Sequence, residues 1–145
     1  MATTPKGDYI AYAILRKSAD QTISNNTVTD VTFDTEDVDS GGIHTGSNAT
    51  VSLSEGLYII IAIISWGANS TGDRLVKITD GGGSDIAFMQ SSIEGSSASE
   101  RQALPIIWLV PAGGQTYKIR VIQTSGGNLS VLGVRSSYFM IAQLA

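Results

Sequence analysis

The stretch Tyr117-Lys118-Ile119-Arg120-Val121 alternates strictly between apolar and charged side chains. Because successive side chains of a β-strand point to opposite faces of a sheet, this period predicts a strand with one face in a core and the other in water. Outward from it, the chain repeats short runs rich in Val, Ile, Thr, Tyr and Phe, each closed by Gly, Ser, Asn or Asp. Such runs predict an all-β, antiparallel sandwich or barrel of about ten strands.

The spacing of these runs predicts one domain without an internal repeat or a linker. A chain of 145 residues has the size of a single ordinary domain. We expect residues 1–8 to form a short N-terminal arm, residues 9–145 to form the domain, and residues 91–100 to form its most loop-like connection. The predicted strands are residues 9–17, 22–25, 28–33, 49–53, 57–66, 74–78, 86–90, 103–110, 117–123, 129–131 and 137–144.

Three of these strands, residues 9–17, 103–110 and 137–144, are apolar on both faces. An antiparallel sandwich normally leaves one face of each sheet in water, so strands of this kind require a cover. If they share one sheet, the outer patch reaches on the order of 1,000 Å², above the roughly 300–600 Å² of the largest patch on a typical monomer. A homo-oligomer is the simplest cover. The side chains predicted for its interface are Tyr12, Ile14, Trp108, Phe139 and Ile141.

Composition excludes several classes of function. The net charge of -4 argues against nucleic acid as a partner, because phosphate binding requires a basic surface. The longest apolar run, residues 57–64, is too short to cross a bilayer as a helix, so we expect no membrane insertion. The chain has no cysteine and therefore no disulfide. Residues 1–8 are polar and do not resemble a signal peptide, which predicts synthesis in the cytoplasm.

The best candidate for chemistry is the acidic cluster Asp34, Glu36, Asp37 and Asp39. Closely spaced carboxylates suit calcium, and a carboxylate pair can also hydrolyse glycosides. A solvated acidic loop is the interpretation that we favour over both. His44 is the only histidine, and we expect it to be a polar loop or interface residue. Because the chain lacks the Gly-x-Ser-x-Gly and His-Glu-x-x-His motifs, we predict no enzymatic activity and no cofactor.

The two tryptophans, Trp66 and Trp108, lie within predicted apolar strands. Packing in the core or in an interface is the role that we favour for both. The alternative is a platform on which a sugar ring stacks, which requires that the indole rings be exposed.

Several short segments carry a resemblance to a known family: Thr32-Phe33-Asp34, Asp39-Ser40-Gly41-Gly42, Thr45-Gly46-Ser47-Asn48, Gly56-Leu57-Tyr58 and the last strand from Tyr138-Phe139 to Leu144. The chain resembles the jelly roll of the tumour necrosis factor and complement globular-head superfamily, of the kind found in bacteriophage fibre heads and capsid decoration proteins. That resemblance implies a threefold trimer in which the sheet holding the first and last strands faces the axis. The chain departs from the complement pattern because it lacks the aromatic residue and the proline before Gly56 and has no collagen stalk.

The sequence therefore predicts a non-enzymatic, trimeric structural or interaction module at the surface of a virion or a cell. Its expected partners are copies of itself and either capsid or fibre proteins or a receptor or glycan of a host surface. Two alternatives stay open. One is a carbohydrate-binding module, and the other is a hydrolase that uses the acidic cluster.

Overall fold

A computed structural model of the chain describes residues 10–46, 48–93 and 99–145. The predicted arm at residues 1–8 lies outside this part, as do Tyr9 and the middle of the predicted loop at residues 91–100. The strands of the described residues are β1 (Tyr12–Arg16), β2 (Gln21–Ile23), β3 (Thr29–Asp30), β4 (Thr35–Ser40), β5 (Thr50–Leu53), β6 (Gly56–Ser65), β7 (Asp73–Asp80), β8 (Asp85–Ser92), β9 (Arg101–Val110), β10 (Gln115–Gln123), β11 (Leu129–Val131) and β12 (Tyr138–Gln143).

Two antiparallel sheets form the sandwich. The first has the strand order β4-β1-β12-β6-β9, and the second has the order β3-β10-β7-β8, with β5 also paired to β10. A small ladder joins β11 to β2. The strands that were predicted to be apolar on both faces, β1, β9 and β12, all lie in the first sheet. The all-β, antiparallel jelly-roll architecture predicted from the sequence is therefore confirmed.

The core lies between the two sheets and is filled by alternate residues of each strand. In β10 the side chains of Tyr117, Ile119 and Val121 are buried while Lys118 and Arg120 face outward, as the alternation predicts. Across the sandwich, the first sheet contributes the buried side chains of alternate residues of β6 and β12. This period of two places each strand's other face on the outside of the sandwich.

The acidic segment departs from its prediction as a loop. Residues 35–40 form β4, which pairs with β1 at the edge of the first sheet, with a bulge between Ile14 and Leu15. An edge strand is paired on one side only, so it tolerates charged side chains that a central strand would bury. The strand predicted over residues 28–33 is shorter in the structure. There β3 spans Thr29 and Asp30, which pair with β10. No helix among the described residues is long and apolar enough to cross a membrane.

Candidate interaction surface

The outer side of the first sheet is apolar across neighbouring strands. Met140 of β12 lies between Ile14 of β1 and Ile61 of β6, because it pairs with both. On the next strand along, Ile107 of β9 pairs with Ile59 of β6. Directly opposed side chains of antiparallel strands touch, so these residues form continuous rows. We call this surface the apolar face; it comprises Tyr12, Ile14, Leu57, Ile59, Ile61, Ile63, Ile107, Leu109, Tyr138, Met140 and Ala142.

The apolar face is open to solvent in the single chain. Ile107 and Leu109 are 66% and 67% exposed, and Tyr12 is 45% exposed. Between β1, β12 and β6 the face holds a shallow cavity of about 300 Å³, whose lining contains no charged side chain. Single exposed apolar residues are common on soluble proteins, but a continuous apolar surface marks a site of interaction.

Four of the five side chains predicted for the interface lie on β1 and β12, on two different faces. Tyr12 and Ile14 are on the apolar face. Phe139 and Ile141 point into the sandwich, where they are 0% and 3% exposed within one chain. The face assigned to these two residues is thus corrected, because neither leaves a surface for a partner. A strand that is apolar on both sides does not indicate which side faces the core.

Trp108 is also on the inner side of its strand. It packs against the core, and its Nε1 donates a hydrogen bond to Tyr117 Oη at 3.0 Å. Trp108 lies on the side of β9 opposite to the apolar face and is half-buried, so its place in the interface stays a prediction. Trp66 is fully buried, and its Nε1 donates to Gln102 Oε1 at 2.7 Å. Trp66 is therefore internal, as the favoured interpretation expected, whereas Trp108 is half-buried and keeps part of its ring surface open.

Two of the four acidic residues proposed for calcium have partners on β1 and just after it. Asp34 accepts hydrogen bonds from the hydroxyl and from the main-chain N–H of Ser18, the latter at 2.7 Å. The Ser18 hydroxyl is the main reason that the pKa of Asp34 lies below its usual value. Asp37 pairs with Arg16 Nε at 2.7 Å. The two carboxylates thus bind separate partners.

The other two acidic residues hold the segment that follows β4. Both carboxylate oxygens of Asp39 accept main-chain N–H groups, from Ile43 at 2.9 Å and from His44 at 3.0 Å. Glu36 Oε1 lies 2.8 Å from His44 Nδ1. The described residues contain no group of three or more His, Cys, Asp or Glu side chains placed to hold a metal ion, so the structure does not bring the four carboxylates of the calcium candidate together.

His44 is a buried link rather than an exposed base. Its side chain is 0% exposed, and its Nε2 lies 2.8 Å from the carbonyl oxygen of Asn48. Because a carbonyl oxygen only accepts, Nε2 must carry the hydrogen of this bond, while Nδ1 faces the Glu36 carboxyl. Both ring nitrogens are thus hydrogen-bonded inside the protein, so the imidazole joins β4 to the segment before β5.

The outer side of the second sheet carries ion pairs between neighbouring strands. Asp30 binds Lys118 Nζ at 3.0 Å and Arg120 Nε at 2.7 Å. On the neighbouring strands Lys77 Nζ pairs with Asp85 at 2.7 Å. These partly exposed ion pairs are typical of a surface that stays in water.

The fold is similar to that of several solved structures. Over 93% of this chain and 99% of that chain, the structure is similar to murine APRIL at pH 5.0, with a TM-score of 0.67 and 13% identity. Eiger TNF from S. frugiperda has a TM-score of 0.64 at 14% identity, over 94% of this chain and 93% of that chain. The globular domain of zebrafish complement 1qA has a TM-score of 0.61 at 12% identity, over 93% and 98%. No protein-family model and no curated protein sequence matches the chain.

These likenesses extend over nearly the whole chain and support a jelly roll of the type seen in tumour necrosis factor and complement heads. The part of the sequence-based resemblance that concerned the fold is confirmed. At identities of 12% to 14% they establish the fold and not a function.

Proposed function

We propose that the protein is a non-enzymatic interaction module that assembles as a homotrimer, with the apolar face of each subunit directed toward the threefold axis. The observation that carries this proposal is the continuous apolar face on the sheet that holds β1 and β12. Burying such a face against another subunit stabilises the assembly by about 25 cal/mol for each Å² of apolar surface removed from water. A closed ring of identical subunits covers the face of every copy and leaves none open.

The number three is supported by the resemblance to the tumour necrosis factor and complement heads, which implies a trimer with this same sheet inside. In such an assembly the second sheet and its loops stay in water, where they are free to contact a partner. The charged side chains of that sheet are consistent with this arrangement, since ion pairs of the Asp30 type tolerate solvent.

The proposal is tested by light scattering on the purified full chain at micromolar concentration. We expect a mass of three times the chain mass of 15.2 kDa. A mass of one chain would contradict assembly through the apolar face. A mass of two chains would keep the face as an interface but contradict the threefold arrangement.

The finer role that we propose is a capsid decoration or fibre head of a bacterial virus, made in the cytoplasm and exposed on the virion. What supports it is the resemblance to compact heads of that kind. The genes that flank the coding sequence test it directly. Capsid or tail genes on either side are the expected result, and a neighbourhood without virion genes would contradict the viral role while leaving the trimer untouched.

A further inference from the structure

A small pocket opens where the edge strands of the two sheets, β8 and β9, approach each other. Its volume is about 200 Å³. It lies at the end of the sandwich where β9 turns into β10, and the turn closes with a hydrogen bond of 3.0 Å from Gly114 N–H to the carbonyl of Pro111. The pocket is lined by Asp80, Ile86, Trp108, Pro111, Gln115 and Tyr117.

Two aromatic side chains form the inner wall of this pocket. The indole N–H of Trp108 is used by the hydroxyl oxygen of Tyr117, so the ring presents only apolar surface to a ligand. The Tyr117 hydroxyl accepts that bond and keeps its own hydrogen to donate. Burial raises the pKa of Tyr117, and the phenol therefore stays protonated at neutral pH.

Asp80 supplies an acceptor that the protein leaves open. It lies opposite Tyr117 in the ladder between β7 and β10. Its Oδ1 accepts the main-chain N–H of Ser84 at 2.9 Å, and its own N–H donates to the carbonyl of Ser84 at 3.0 Å. These bonds hold the carboxylate in one orientation, while no hydrogen bond from the described residues reaches Oδ2.

Gln115, which follows the turn between β9 and β10, supplies a hydrogen-bond donor to complement the acceptor of Asp80. Its Oε1 accepts the main-chain N–H of Thr116 at 3.1 Å. That contact sets the orientation of the amide, so Nε2 is the atom left to bind a ligand. Within the part of the chain that is described, no acceptor takes up this Nε2.

We propose that this pocket binds one neutral sugar ring, stacked on the apolar wall and hydrogen-bonded to Asp80, Gln115 and Tyr117. Sugar hydroxyls both donate and accept, which matches one open carboxylate oxygen beside two open donors. A cation would satisfy Asp80 but would meet the positive ends of the Gln115 and Tyr117 donors. The volume is below the roughly 300–1,000 Å³ of pockets for drug-sized ligands, so it suits a single ring.

The two tryptophans allow the test to carry its own control. Trp66 is fully buried, and its N–H is bound to Gln102 rather than to a residue of the pocket. In ¹⁵N-labelled full-length protein, assigned with Trp108→Phe, we would titrate D-galactose, D-glucose, N-acetyl-D-glucosamine and choline separately to 100 mM. We expect at least one sugar to shift the Trp108 indole signal saturably while the Trp66 signal stays in place.

A matched pair of variants then locates the site. Asp80→Asn keeps an acceptor for Ser84 but replaces the open oxygen by an N–H group, and it should weaken sugar binding about tenfold or more. Asp85→Asn alters a carboxylate that pairs with Lys77 outside the pocket, and it should bind as the parent does.

Three results would overturn this site: no saturable shift with any of the sugars, equal weakening in both variants, or a shift with choline alone. Since all six lining residues belong to one chain, a monomeric variant such as Ile61→Asp should bind the sugar with unchanged affinity. Failure of the sugar site and failure of the trimer are thus separate outcomes.

Discussion

The two sheets bury similar side chains on their inner faces and differ on their outer ones. In the first sheet, Met140 is flanked by Ile14 and Ile61. In the second, Asp30 is flanked by two cationic side chains. A core requires only the inner face of each sheet, so the apolar outer face of the first sheet serves something other than the folding of one chain. In the proposed assembly, the first sheet meets the partner and the second sheet meets water.

The largest expected effect on stability contrasts a phenylalanine of the core with one on the surface, each replaced by alanine. Phe139 is fully buried with its ring centroid 5.7 Å from that of Phe33, whereas Phe88 on the outer side of the second sheet is 64% exposed. We expect Phe139→Ala to lower the free energy of unfolding by about 3–5 kcal/mol, because it leaves a cavity. Phe88→Ala should change it by less than about 0.5 kcal/mol.

Urea unfolding at one fixed protein concentration measures both variants, since the stability of an assembly depends on concentration. Equal losses in the two variants would mean that Phe139 is not a core residue.

The next effect separates the two outer faces. Ile61 and Ile122 are both half-buried isoleucines, the first on the apolar face and the second on the outer side of the second sheet. Ile61→Asp places a charge where the trimer would exclude water, which costs several kcal/mol. We expect this variant to fold as a monomer, while Ile122→Asp keeps the trimer.

Light scattering gives the mass of each variant, and circular dichroism shows whether it is folded. A trimeric Ile61→Asp would place the interface elsewhere. Dissociation of both variants would contradict the prediction that only the first sheet forms the interface.

The sequence predicts the second sheet better than the first. Charged residues such as Lys118 mark the solvent side of β10 and so set the phase of the whole strand. In β12, Phe139 and Met140 are both large and apolar, and only the packing of the other sheet decides which of them is buried. The number of apolar strands thus predicts a partner, and the structure shows which side of each strand is left outside the core of one chain.

The candidate sites show the same limit. The acidic cluster is conspicuous in the sequence, yet its carboxylates bind separate partners such as Arg16 and His44. The pocket at Trp108 is not visible as a motif, because its Asp80 arrives from β7 and its Gln115 from β10. Contacts between distant strands depend on register, which a single sequence does not state.

A smaller effect on stability is expected from two side-chain contacts of the same edge strand, β4: Glu36 with His44, and Asp37 with Arg16. His44 is buried and bound through both ring nitrogens, whereas the pair of Arg16 and Asp37 is partly exposed. We expect His44→Ala to cost about 1–3 kcal/mol, since it leaves the Asn48 carbonyl without its donor. Arg16→Ala should cost less than about 1 kcal/mol.

Thermal melting of the two variants at one pH and one concentration provides the comparison. If Arg16→Ala were the more damaging, the charged surface pair and not the buried imidazole would hold β4 in place.

The smallest effect is a pH dependence in the second sheet. Burial raises the pKa of Asp30, but hydrogen bonds and charge from Arg120 and Lys118 outweigh it, so the net pKa lies below its usual value. A carboxylate with a lowered folded-state pKa stabilises the fold above its unfolded value of about 4, and this contribution is lost as the pH falls through the folded value. The side chain of Asp30 is 38% exposed, so we expect this contribution to the free energy of unfolding to be less than about 1 kcal/mol.

The melting temperature of the parent should therefore exceed that of Asp30→Asn at pH 7 and approach it near pH 2, with a smaller difference in 1 M salt. A difference that stays constant from pH 7 to pH 2 would assign the stabilisation to hydrogen bonding that the amide cannot replace, and not to the charge of Asp30.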